Sequence, residues 1–300
     1  MKKIYFWAAD ICENSGEGIL ANNFLNNLRK DGELININSL SRFQKNNLNF
    51  KNIIFQKFYH AYIYPIIGAI KLRFYQKKGL ICYVNYLPLW NSILFLILPK
   101  KTILGPISGY YKFSRYNVIF NFFENLSLKI LKSKNFSNLI FSTDYIKSKN
   151  FDKSYKYNFI LNNFYFLEEK KIDKQFDIVI YNRIHKSKGN KFIHQIVKLL
   201  CENNFRCAIF GDNIEVNGAK NYGWLNRKDT QDIISKSKYA LSSKENIYSF
   251  FIQDCLSRKL KIFFNKEFSS SVQPRFKNFM IKIDYNKIKS TFEIIKKEIS

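Results

Sequence analysis

Histidine, cysteine and acid are the scarce commodities of this chain. Three histidines, His60, His185 and His194, are too few and too spread to make a zinc site. The five cysteines, Cys12, Cys82, Cys201, Cys207 and Cys255, form no CxxC pair and mostly sit in apolar runs, so they read as small core residues in a reducing compartment. No Asp-x-Asp pair is present to hold a metal, and no Ser–His–Asp set is apparent. Long apolar runs are missing too. Leu87 to Leu98 is interrupted by Asn91 and Ser92 and bounded by Pro88 and Pro99, and it cannot span about 30 Å of hydrocarbon. The first apolar run stops at Asp10, too early for a signal peptide. A cytoplasmic protein is expected, one able to touch the inner face of a membrane without crossing it. Acids number 23 against 49 Lys and Arg, a net charge of +26, and from Leu34 to Phe123 there are twelve Lys or Arg with no Asp or Glu. Two accounts stay open. Only nine of the cations are Arg, as the amino-acid usage of an AT-rich genome would give; a basic face for an anionic membrane, a diphosphate-linked substrate or nucleic acid would give the acid-free region. No helix-turn-helix, RNP or zinc pattern supports a nucleic-acid-binding protein, and Lys dominates over Arg.

Three hundred residues suit two domains of about 150 each. The chain opens as strand, loop, helix, strand: Ile4 to Ala9, Asp10 to Glu17, Gly18 to Lys30 closed by Asp31-Gly32, and Leu34 to Ile37. Gly16-Glu17-Gly18-Ile19-Leu20-Ala21 fits the G-x-G-x-x-A dinucleotide pattern in form only. Its first Gly comes seven residues after the strand, and Asn38, Ser39 and Leu40 stand where an acid should hold a ribose. A loop facing a cleft or a plain helix entry accounts for it better. Ile53 to Gln76 reads as an aromatic, basic helix that Pro65 kinks or divides. It suits a membrane interface, and equally a core face with a solvated edge. Leu80 to Val84 reads as a strand, Leu87 to Leu98 as a helix, and Lys101 to Leu104 as a strand ending in the loop Gly105-Pro106-Ile107-Ser108-Gly109. Such a loop lets backbone approach a ligand, or simply turns the chain. The charged run Glu168 to Lys174 is the best linker candidate.

Asp177 to Tyr181 begins the second half as a buried strand, followed by Asn182 to Gly189 and a helix from Asn190. Arg183 and Lys188 flank that helix entry, where a planar fork and a point charge suit a diphosphate. Phe205 to Phe210 is the next strand, ending in Gly211-Asp212; Trp224, before a helix from Arg227, reads as a base platform or as core. Tyr239 to Leu241 leads through Ser242-Ser243-Lys244-Glu245 into a helix from Ile247 to Arg258, then a strand from Leu260 to Phe264. Glu245 stands at a strand end ahead of a helix N-terminus, a place that favours phosphate. A carboxylate there repels phosphate, so its natural task is to accept hydrogen bonds from sugar hydroxyls. Gln253, two turns on, lies on about the same face, within reach of a sugar or ribose.

This stretch resembles the donor-binding element of GT-B glycosyltransferases, family 4 in particular. There a Ser-x-x-Glu turn is followed by a second Glu, where Gln253 stands here, and by Gly and Pro, where Arg258 and Leu260 stand. The Gly16–Gly18 loop, the Gly-Pro-x-x-Gly loop, Arg183 with Lys188-Gly189, Gly211-Asp212 and the segment at Trp224 follow in family order. The resemblance implies an α/β GT-B fold: Rossmann-like domains over 1–167 and 175–300, a cleft between them, and a last helix returning to the first domain. It implies a retaining glycosyltransferase that moves a sugar from a nucleotide-diphosphate sugar to a saccharide acceptor. That acceptor is expected to be lipid-linked, in cell-surface polysaccharide synthesis, with neither a metal nor a cofactor and with no nucleic acid as partner. The donor would be held by Arg183, Lys188, Gly189, Trp224, Glu245, Asn246, Ile247, Tyr248, Ser249 and Gln253, and the acceptor by Gly16, Glu17, Gly18, Gly105, Pro106 and Gly109. No catalytic base can be named. A GT-B-like protein without activity is the other reading.

Overall fold

Two six-stranded parallel sheets organise the chain, one in residues 1–163 and one in residues 164–300, and each belongs to its own folding unit. A computed structural model describes all residues except 1, 12–15, 30, 38–54, 56–57, 90, 109–116, 135, 137, 142–156, 159–163, 169–171, 185–187 and 245–246.

The first sheet is ordered β2-β1-β3-β4-β5-β6, from β1 (Lys3–Ala8), β2 (Glu33–Asn36), β3 (Leu80–Pro88), β4 (Thr102–Ser108), β5 (Asn138–Phe141) and β6 (Tyr157–Asn158). The β1–β2 crossover carries α1 (Gly16–Leu28); later crossovers carry α2 (Tyr64–Tyr75), α3 (Ser92–Ile97) and α4 (Asn117–Ser133). Trp7 stacks on Tyr83 at 5.0 Å in the core, where burying a large apolar side chain contributes about 1.5–3 kcal/mol. Of the helix expected from Ile53 to Gln76, which Pro65 was to kink or divide, residues 53–54 and 56–57 lie outside the described residues, and the rest is one continuous helix that changes from π to α geometry just ahead of Pro65. A π-helical turn, Tyr59–Ile63, precedes α2, and Pro65 sits in the first turn of α2. Two expectations need correction. β3 runs on to Pro88, so the following helix starts at Ser92 under an Asn91 cap rather than at Leu87. Gly105 and Pro106 lie within β4 rather than in a loop. The pairing register shifts beside them, between Val84 and Leu87 on one neighbour and between Leu104 and Ile107 on the other, and such an irregularity lets a central strand hold a residue with no N–H.

The second sheet is ordered β12-β11-β10-β7-β8-β9. Its strands are β7 (Phe176–Asn182), β8 (Cys207–Gly211), β9 (Lys220–Asn221), β10 (Ser237–Leu241), β11 (Lys261–Asn265) and β12 (Met280–Ile283). Helices α5 (Asn190–Glu202), α6 (Arg227–Ser235), α7 (Phe250–Ser257) and α8 (Ile288–Ile299) connect or follow them. α8 packs against α5 of its own unit. The strand order reverses between β7 and β10, and sheets of this kind place ligands outside the carboxyl ends of the strands at that point. Residues 164–168 pack with the second unit: Phe164 meets Phe276 edge-on at 4.8 Å, and Leu167 N–H donates to the Ser257 carbonyl. The unit boundary therefore falls ahead of the charged run that the sequence offered as a linker.

Candidate functional site

Two loops meet at the reversal between β7 and β10. One leaves β7 at Asn182–Arg183 and enters α5 through Lys188-Gly189; the other leaves β10 at Leu241–Ser242 and enters α7 through Ser249. Lys244 N–H donates to the Lys188 carbonyl at 3.2 Å and joins them. Gly189 makes this approach possible. Its φ is +79°, and a Cβ there would stand 3.0 Å from Lys244 Cβ and 3.1 Å from the Tyr285 ring. The second loop is also held from behind: Asn265 Nδ2 donates to the Lys244 carbonyl at 3.1 Å, and the Tyr285 hydroxyl to that of Ser242. Tyr285 is buried and stacked on Phe192 at 4.1 Å, and burial pushes its hydroxyl above the ordinary tyrosine range.

A second bracket holds the β7–α5 loop from the β8 side. Asp212 accepts from Ile184 N–H at 2.5 Å and from Trp224 Nε1 at 3.2 Å. Asn182, buried at the end of an otherwise apolar strand, donates to the Asp212 carbonyl at 2.7 Å and accepts from Asn190 Nδ2 at 3.2 Å. Gly211 must be glycine: its φ is +94°, and a Cβ would lie 2.2 Å from the Asn182 carbonyl oxygen.

Arg183, exposed, and Lys188, half-buried, thus stand on a braced strand edge. The N-termini of α5 and α7 start at the same edge, adding partial positive charge and backbone donors. Trp224 is 65% exposed, with its edge against Tyr181. These features together fit an anionic ligand carrying an aromatic group.

The helix expected from Ile247 starts later, at Phe250, because Ser249 Oγ accepts from Ile252 N–H and caps it. Ile247 and Tyr248 are buried, and Tyr248 Oη accepts from Gln273 N–H at 2.8 Å, so these two side chains belong to the core. Gln253, half-buried, donates from Nε2 to the Tyr248 carbonyl at 2.8 Å, and Oε1 is the acceptor of its amide. Glu245 and Asn246 lie outside the described residues. In the first unit, Gly16, Glu17 and Gly18 open α1, and Gly105 and Pro106 lie in the carboxyl half of β4, at the same edge of the first sheet; Gly109 lies outside the described residues. Sequence reasoning singled out Arg183, Lys188 and Trp224 but missed the bracing by Asn182, Asn265 and Tyr285. A buried Asn closing the run DIVIYN was the available signal.

No family model and no curated protein matches the sequence. Among solved structures, Anabaena Alr3699/HepE in complex with UDP is similar with a TM-score of 0.58 at 11% identity, over 100% of this chain and 90% of that one. Methanocaldococcus jannaschii UDP-GlcNAc 2-epimerase, in complex with UDP-GlcNAc and UDP, follows with 0.54 at 11% identity, over 98% and 92%. An alpha-glucosyltransferase in complex with UDP and a 13-mer DNA gives 0.51 at 13% identity, over 100% and 91%. The chain has the GT-B glycosyltransferase-like fold expected from its sequence.

Proposed function

We propose that this protein is a glycosyltransferase whose second unit binds a nucleotide-diphosphate sugar. The observation that carries the reading is the edge between β7 and β10, where Arg183, Lys188 and two helix N-termini converge on a platform braced by Asp212 and Asn265. The chemistry of transfer demands stabilisation of a departing diphosphate, and these groups supply positive charge where it develops. Trp224 offers a face to the base. Glu245 would hold sugar hydroxyls. The acceptor in this reading is a saccharide, lipid-linked, on the side of the first unit, and the product keeps the donor's anomeric configuration in a surface-polysaccharide pathway. Transfer proceeds without a metal, the cations and helix ends taking its place. Support for a nucleotide-sugar ligand comes from neighbours of the fold that hold UDP or UDP-GlcNAc.

The second reading is a GT-B-like protein that binds donor and does not turn over. It is favoured by Gln253, whose amide is committed to the Tyr248 carbonyl and which brings a ribose a single neutral acceptor instead of a carboxylate.

Thermal-shift screening against UDP-, GDP-, ADP- and CMP-sugars, with Arg183→Ala alongside, tests binding. A ligand that binds only the folded state at about 100 times its Kd stabilises by about 2.7 kcal/mol, a rise of several degrees. The expected result is a rise with one nucleotide class that disappears in the variant; no rise with any would overturn the reading. Sugar release to mixed saccharide and DNA acceptors then separates an enzyme from a binder.

A further inference from the structure

One face of the first sheet is covered by α2, α3 and α4, packed side by side. Each leads into the next strand of one parallel sheet and runs antiparallel to it, so their amino ends lie along one edge and their carboxyl ends along the other. The three helices repeat one arrangement. On α2, Ile70 and Phe74 face solvent, Phe74 at 74% exposure, and Lys77 and Lys78 follow. On α3, Ile93 and Leu96 are more than half exposed, and Lys100 and Lys101 follow. On α4, Val118, Ile119 and Phe122 are exposed, Phe122 at 65%, and Lys129 and Lys132 follow about two and three turns later. Apart from the exposed Lys71 on α2, apolar side chains come first and lysines after, so the layer presents an apolar band beside a basic rim.

The charge on this face is of one sign. Neither α2 nor α3 contains an acid, and Glu124, the acid of α4, is buried. Two other cations serve the fold: Arg73 Nε donates to the Ile97 carbonyl, and Lys134 Nζ to those of Phe95 and Leu96, satisfying the end of α3.

We infer that the outer face of α2–α4 docks on an anionic lipid bilayer. Exposed aliphatic and aromatic chains enter the boundary between headgroups and acyl chains, while lysines beside them meet lipid phosphates. An acid-free basic rim complements that surface in sign. A second copy using the same face would set lysines against lysines, and nucleic acid would match the rim but leave the apolar band uncovered. The inference goes beyond the donor-site reading and stands without it.

Flotation with phosphatidylcholine vesicles, with and without phosphatidylglycerol, tests it on the full chain. Two variants are compared, Phe74→Ser with Phe122→Ser, and Lys77→Glu with Lys78→Glu, Lys129→Glu and Lys132→Glu; every changed side chain is exposed, and circular dichroism and nucleotide binding check the fold. The wild type should float with the anionic vesicles and stay behind with the neutral ones. The four charge reversals should lower partitioning by at least about a hundredfold at low salt, and the two serines by about tenfold or more. Failure to float with anionic vesicles, or equal flotation of all three proteins, overturns the inference. So does a wild-type dimer in sedimentation that the serines dissolve, or DNA binding without vesicle binding.

Discussion

Residues 164–300 hold 26 Lys or Arg and 15 Asp or Glu; residues 1–163 hold 23 and 8. The larger difference lies in the surroundings of the charged groups. In the second unit acids are partners: Asp177 sits between Arg206 and Lys238 at 3.2 and 3.0 Å, Asp284 meets Lys266 at 2.7 Å, and Asp212 holds a loop N–H and an indole. In the first unit Asp10 and Glu124 are buried with partners of their own, and the outer helical face carries lysine beside apolar side chains. The same excess of cations thus serves two ends. In one unit it is balanced around a braced strand edge that carries Arg183 and Lys188; in the other it is displayed on a face.

The comparison breaks most severely at Gly211. Gly211→Val forces a β-branched residue to φ +94° against the Asn182 carbonyl 2.2 Å away. A loss of about 3 kcal/mol or more is expected in urea denaturation, together with loss of nucleotide binding.

Asp177 tests the balanced side by pH. Burial alone would raise its carboxyl, but hydrogen bonds from Arg206 and Lys238 hold it at about 2, below the ordinary 3.8. A depressed carboxylate contributes stability that is present above pH 3.8 and is lost as pH falls through 2. Asp177→Asn should cost up to about 2 kcal/mol at neutral pH, and the gap to wild type should close across that acid window. A gap that stays constant with pH would show that the pairs contribute little.

Asp212→Asn sharpens the comparison at the site itself. The amide keeps one acceptor, so either Ile184 N–H or Trp224 Nε1 loses its partner. Nucleotide affinity by calorimetry should fall about tenfold, since one lost hydrogen bond to a charged group is worth about 1.5–3 kcal/mol and part of it returns to water. Ser249→Ala has the smallest expected effect, about 1 kcal/mol in thermal unfolding, from loss of the α7 cap.

The alternation of apolar runs with helical stretches made the α/β plan legible: DIVIY is the heart of β7, and Pro65 stands in the first turn of α2, just past a π-helical turn. What was not legible depended on distant partners. β3 runs through Asn85 to Pro88 because β4 pairs with it that far. Tyr248 is in the core because the N–H of Gln273, 25 residues on, meets its hydroxyl. Asp212 was seen as a motif residue, but the loop N–H and indole it holds come from 28 residues before it and 12 after. Arg183 and Lys188 were legible because loop cations at a strand end need no long-range partner to be noticed. Glu245 lies outside the described residues.

The most direct measurement is a crystal structure of the complex with whichever nucleotide stabilises the protein most. The account predicts the diphosphate at the edge between β7 and β10, within hydrogen-bonding reach of Arg183, Lys188 and the first N–H groups of α7, with the base beside Trp224. A nucleotide bound anywhere else, with that edge unchanged and empty, would contradict it.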